Sequence, residues 1–108
     1  MLQYLRFMDQ IKQLNKQFDL SYHEIELLDL AAKAHFSEQP IFVGDLIHQR
    51  NIASQATLHA VFKSLQDKKL LSTKPHEEDG RIKKVALTKA SIEHYKRLHR
   101  EINRVSTK

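Results

Sequence analysis

Cysteine is missing from all 108 residues. Its absence excludes disulfide staples, thiolate-held zinc, a cysteine nucleophile and thiol-based redox sensing. Glycine occurs only twice, at Gly44 and Gly80. Two glycines so far apart cannot build a nucleophile elbow, a Walker loop or a dinucleotide-binding turn. No apolar run approaches the roughly 20 residues that a membrane helix needs. The opening residues, MLQYLRFMDQ, lack the basic-then-apolar order of a secretory signal, so the expected compartment is the cytoplasm.

Paired acids of a catalytic kind are lacking too. No pair of carboxylates falls on an expected cleft, and an enzyme is not expected. Seven histidines raise the question of a metal. None of them shows the H-E-x-x-H or i, i+4 spacing that puts two ligands on one helix face. His94 and His99 stand about 140° apart around a helix and diverge. His23 and His35 could line a ligand pocket, against the plainer reading of both as packing residues. No metal or cofactor is expected, and the sequence names no small-molecule effector.

What is present is an uneven charge. The net is +5, yet residues 1–47 carry −3 while residues 48–88 and 89–108 carry +4 each. A basic excess confined to the later chain points to a polyanionic partner, against the plainer alternative of a solvated face.

Hydrophobic periodicity divides the chain into elements. Leu5, Met8, Ile11, Leu14 and Phe18 form one helical stripe. Leu2, Tyr4 and Phe7 widen it beyond the needs of a lone surface helix. Ser21 followed by Glu24 is a capping-box pattern that starts a second, central helix ending near Phe36. A short extended lead-in precedes a short helix from about Gly44 to Arg50, with Val43, Leu46 and Ile47 as its core contacts. Ser54 caps the next helix, which buries Leu58, Val61, Phe62 and Leu65. Its other face holds Gln55, Ala56, His59, Ala60 and Lys63, with no acid before Asp67. The period then becomes alternating. LLSTKP and IKKVALT read as two strands of a hairpin whose loop runs from His76 to Arg81, with Gly80 allowing the tip to bend. Thr88 caps a last helix with a stripe of Ile92, Tyr95, Leu98, Ile102 and Val105. The fold class is therefore mainly α with a β-hairpin (α+β), in the order of a winged helix-turn-helix: helix, helix, short helix, recognition helix, two-stranded wing, helix.

The stretch VGDLIHQRNIASQATLHAVFKSLQDKKLL resembles the helix-turn-helix of the MarR family of bacterial transcription regulators. EDGRIKKVALT fits that family's wing signature, through Asp79, Arg81, Val85, Leu87 and Thr88. The likeness spans about residues 20–98, and the length is nearer the SarA-like single-domain branch. Where the family has glycine after the recognition helix this chain has Lys69. The family's Asp-Arg-Arg becomes Asp79-Gly80-Arg81, with one wing cation fewer.

The resemblance implies a single winged-helix domain over residues 1–108. Residues 1–18 would be a dimerisation helix, 43–69 the helix-turn-helix, 70–88 the wing and 89–106 the C-terminal helix. It implies a homodimer on a pseudo-palindromic operator in double-stranded DNA. Leu2, Leu5, Met8, Ile11, Leu98 and Ile102 would form the dimer contact. A helix in the major groove reads bases with its first two turns. Gln55 suits adenine, Ala56 a thymine methyl and His59 a base edge. Ser54, Thr57 and Lys63 suit phosphates, and Lys74 joins them from the first wing strand. The family places the wing arginine, here Arg81, in the minor groove with Asp79 holding it. Lys83 and Lys84 would grip phosphates nearby. The competing reading is a winged helix used as a protein-interaction module, with the apolar first helix as its docking face.

Overall fold

The computed structural model describes residues 1–106, with side chains through Arg104. Val105, the last residue of the expected stripe, lies outside the described side chains. The order of elements is α1 (Leu2–Lys16), α2 (Tyr22–Phe36), α3 (Val43–Ile47), α4 (Gln55–Asp67), β1 (Leu71–Pro75), β2 (Lys83–Leu87) and α5 (Lys89–Ser106). This is the expected winged helix. β1 and β2 pair antiparallel, with Leu71 opposite Leu87 and Pro75 opposite Lys83.

α2 is the central helix. The Glu24 amide donates to Ser21 Oγ at 3.2 Å, and the Ser21 amide donates back to Glu24 Oε1 at 3.0 Å. That reciprocal cap satisfies two amides that a helix start otherwise leaves open. Leu27, Leu28, Ala31 and Ala32 are buried in one cluster with Leu46, Leu58, Phe62, Leu65 and Leu70. Each fully buried leucine contributes about 2 kcal/mol by leaving water.

α3 is shorter than the sequence suggests. Gln49 Nε2 donates to the Asp45 carbonyl at 2.8 Å, so a side chain takes an acceptor that a longer helix would use. Its start is fixed by Asp45, whose Oδ2 accepts from the Phe42 amide at 2.9 Å. The lead-in does more than the sequence shows. The Val85 amide donates to the Ile41 carbonyl at 2.8 Å, and Phe42 bridges to Lys84. Ile41 and Phe42 thus run beside β2, on the side away from β1.

Left-handed φ falls just after three helices, at Asp19 (52°), Glu38 (57°) and Lys69 (60°). After α4 the Lys69 amide donates to the Gln66 carbonyl and the Leu70 amide to the Leu65 carbonyl, both at 2.9 Å. This is a Schellman cap. Lys69 therefore ends α4 the way glycine would, at a steric cost of about 1–2 kcal/mol. Conversely, neither glycine has positive φ.

The end of α4 is also bolted to the start of α2. Glu24 is buried, at 5% exposure. Its carboxylate accepts from Lys68 Nζ at 2.9 Å and from Ser64 Oγ at 2.8 Å. Lys68 Nζ reaches the Asp19 carbonyl as well, at 2.6 Å. Burial pushes the Glu24 pKa up. The Ser21 amide, Lys68 and Ser64 together outweigh it, leaving the carboxyl below its ordinary value.

α1 has no buried residue and leans on α5. Near its C-terminal end, Asn15 Oδ1 meets His94 Nε2 at 2.9 Å, and the Phe18 ring stands edge-on to His94 at 5.1 Å. Arg97 Nη1 donates to Gln17 Oε1 at 3.3 Å. On α5 the wholly buried residues are Ser91 and His94, whereas Ile92, Tyr95 and Leu98 are half-buried. The buried face is thus turned from the apolar stripe read in the sequence. Ser91 sits inward because its hydroxyl serves the Thr88 cap, accepting from the Thr88 amide at 2.9 Å. Tyr95 Oη donates to Asp29 Oδ1 at 2.5 Å and ties α5 to α2. Burial pushes the Tyr95 phenol up, and the Asp29 carboxylate beside it pushes the same way.

Candidate nucleic-acid interface

The outward face of α4 is open to solvent and free of acid before Asp67. Gln55, Ala56, Thr57, His59, Ala60 and Lys63 are all exposed, while Leu58, Phe62 and Leu65 are buried. Ser54 and Thr57 are engaged in the N-cap. Ser54 Oγ accepts from the Thr57 amide at 3.3 Å and donates to Thr57 Oγ1 at 3.0 Å. Both residues sit where the helix dipole favours an anion.

A groove of about 520 Å³ separates α4 from the wing. His59, Ala60 and Lys63 line it from the helix, with Thr73 and Lys83 from the strands. The structure therefore brings Lys83 together with Lys63 and His59. It does not bring Lys84 to the same place. Residues alternate across a strand, and Lys84 lines a separate hollow with Ala31, His35 and Ile41. It lies directly opposite Lys74 in the strand register. Two like charges facing each other across a ribbon destabilise it, and an anion between them would remove that penalty.

The wing tip presents Arg81. Its side chain is 91% exposed. Asp79 holds it by three bonds: the Arg81 amide and Nε each donate to Oδ1, at 3.0 and 3.1 Å, and Nη2 donates to Oδ2 at 3.3 Å. The Arg81 guanidinium, then its amide, hold the Asp79 carboxyl below the ordinary range, so it stays ionised. Gly80 plays no special conformational part. It has ordinary φ, and a Cβ added there would meet nothing within 4 Å. The tip bends because Asp79 closes it, with the Ile82 amide donating to the Asp79 carbonyl at 3.0 Å.

One contact at this site has no signal in the sequence. The His76 ring packs on the Phe42 ring with centroids 5.4 Å apart, joining the wing to the start of α3. A histidine after a strand and an aromatic before a short helix carry no local signature of meeting. His94 escapes sequence reading for a related reason: it looks like a surface or partly buried histidine but is 1% exposed. Of the expected dimer residues, Leu2 and Leu5 are open to solvent at 61% and 52%. Ile102 is exposed too, while Met8, Ile11 and Leu98 are partly covered within the chain. Among the described residues, no three His, Cys, Asp or Glu side chains converge as a metal site requires. Nor is any described helix long and apolar enough to cross a membrane.

No family model and no curated protein matches the chain. Solved structures do. The S. aureus MepR–DNA complex superposes with a TM-score of 0.75 at 20% identity, covering 93% of this chain and 73% of that one. A point mutant of E. coli MarR gives 0.64 at 15% identity, over 94% of this chain and 71% of the other. YusO of Bacillus subtilis gives 0.64 at 12% identity, over 96% and 70%. The chain has the MarR-type winged-helix fold. Within that MarR-type frame α3 and α4 are the helix-turn-helix and β1–β2 the wing.

Proposed function

We propose that the chain is a sequence-specific DNA-binding transcription regulator. It acts as a homodimer on a pseudo-palindromic operator, with α4 in the major groove and Arg81 in the minor groove. One observation carries this reading above the others: a fully presented arginine, held by Asp79, stands beyond a cation-lined groove from a helix face free of acid. A narrow A·T-rich minor groove concentrates negative potential and draws in such an arginine. The MepR complex supports the reading by analogy, since a protein of the same fold is seen there with DNA.

The residues divide by role. Gln55, Ala56 and His59 read base edges. Ser54, Thr57, Lys63, Lys74, Lys83 and Lys84 hold phosphates, which fixes the register without reading sequence. α1, apolar and open at its N-terminal half, is the dimerisation helix, with Leu2, Leu5, Met8, Ile11, Leu98 and Ile102 in the contact. Two-fold symmetry then places half-sites about one helical turn apart.

Fluorescence anisotropy on duplexes selected from random DNA, repeated across a salt series, tests this. Arg81→Ala is expected to weaken binding about tenfold and to lower the salt slope by about one per subunit. His59→Ala should instead change which sequences are selected. Equal affinity of the wild type and Arg81→Ala would refute the wing assignment.

A further inference from the structure

We propose that His76 is a positioning residue: it sets the wing, and Arg81 upon it, at a fixed angle to the helix-turn-helix. The functional half of this inference rests on the DNA-binding reading above; the structural half does not.

The tip of the wing is a closed unit. The His76 amide donates to the Ile82 carbonyl at 2.8 Å, and the Glu78 amide donates to His76 Nδ1 at 3.2 Å. Together with the Asp79 bonds to Arg81, these link residues 76–82 to one another, in bonds that a tip no longer seated can open. The hinge of that unit is a two-stranded ribbon, which has little stiffness of its own. Its base is secured by Val85 and Leu87, both buried. The end that bears Arg81 has much less holding it.

What holds that end is the His76–Phe42 contact. Phe42 is a firm anchor, because its amide bonds Asp45 at the start of α3 and it bridges to Lys84 on β2. His76 follows β1 and Phe42 runs beside β2, so the contact joins the two edges of the ribbon. Alongside lies a hollow of about 470 Å³, lined by Val43, Gly44, Arg81 and Ile82. If the ring contact is lost, the tip has room to tilt towards α3 and carry Arg81 with it.

Histidine performs two tasks at once. The ring packs on Phe42, and Nδ1 accepts from the Glu78 amide. The two tasks can be separated. His76→Phe keeps the ring and loses the acceptor. His76→Asn keeps an acceptor and loses the ring.

The test measures binding to an A·T-rich duplex of about 30 base pairs at low salt, and amide hydrogen exchange of Arg81 and Ile82, whose amides both bond Asp79, without DNA. His76→Ala and His76→Asn should bind about fivefold more weakly, while His76→Phe stays within about twofold of wild type. Combining His76→Ala with Arg81→Ala should cost no more than Arg81→Ala alone, within about twofold, since both remove the same contact. Tip amides should exchange faster in His76→Ala and His76→Asn but not in His76→Phe. Wild-type binding by His76→Ala, or a double variant that loses the product of both factors, overturns the positioning role in recognition. If the wild type binds no duplex, the DNA reading falls by itself. Tip exchange unchanged in His76→Ala and His76→Asn overturns the seating of the wing.

Discussion

Lys68→Met should destabilise the fold by about 2–3 kcal/mol, read as a lower urea midpoint with an unchanged slope. Among the described residues the lysine is the cation bonded to Glu24, and Glu24 is almost wholly buried. Removing one partner of such a pair leaves a charge without compensation, which costs more than the pair ever contributed. The figure sits below the range for fully buried pairs because 27% of the Lys68 side chain is exposed. Glu24→Gln is a milder change, about 1–2 kcal/mol, since the amide oxygen can still accept from the Ser21 amide and Lys68 while the NH2 group donates to Ser64 Oγ. The double variant should lose little more than Lys68→Met alone, because the two residues share one interaction.

Acid should reveal the same bond. A carboxyl held below its ordinary pKa contributes stability that is complete above its unfolded value, near 4.5, and is lost as pH falls through the folded value. In Lys68→Met the lysine's contribution is gone and burial remains, so the loss should begin at higher pH. For the DNA binding proposed above the consequence is geometric. Glu24 anchors the C-terminal end of α4 to the N-terminal end of α2, so a loosened bolt lets α4 swing. On that proposal, variants that fold should bind DNA less selectively before they cease to bind.

His94→Ala should cost about 3 kcal/mol and free α1 from α5, measured as lost protection of α1 amides and a lower thermal midpoint. The ring is wholly buried between Asn15, Phe18 and Tyr95. Its Nδ1 has no partner among the described residues, so an added proton would be buried with nothing to bond it. Burial therefore lowers the His94 pKa, and Arg97 adds to the effect. The sign of the pH dependence follows. The unfolded chain takes up this proton near pH 6.5, whereas the folded chain declines it until lower pH. Stability is thus complete above about 6.5 and falls on acidification at no more than about 1.4 kcal/mol per pH unit. His94→Leu removes the titration and should flatten that slope. An unchanged slope between about pH 7 and 5 in His94→Leu would show that another group is responsible. If α1 carries the dimer contact proposed above, the same acidification should shift that dimer towards monomer.

These two residues mark the boundary of what the sequence discloses. Local chemistry is legible. Ser21 with Glu24, Ser54 and Thr88 all cap the helices they precede. The stripe of α4 falls on the core as its periodicity requires. Asp79 and Arg81 meet as their spacing suggests. Contacts between distant segments are not legible. Glu24 and Lys68 are 44 residues apart and each, taken alone, looks like a surface charge. On α5 the polar residues Ser91 and His94 face inward, and a search for apolar period passes them by. In sequence the wing looks like a glycine-turned tip, yet its bend is made by hydrogen bonds to Asp79 and His76. Periodicity finds faces; it does not find partners.

The placement of the two glycines carries a last implication. Left-handed backbone falls at Asp19, Glu38 and Lys69, and neither glycine is asked to supply it. No part of the described backbone therefore depends on a residue without a side chain. Gly80 is the extreme case, because it adjoins Arg81 and faces open space. A cation there needs no rearrangement of the tip, so the grip on nucleic acid proposed for the wing can be graded by one codon while the rest of the molecule stays as it is. The wing is in this sense an adjustable part mounted on a fixed one.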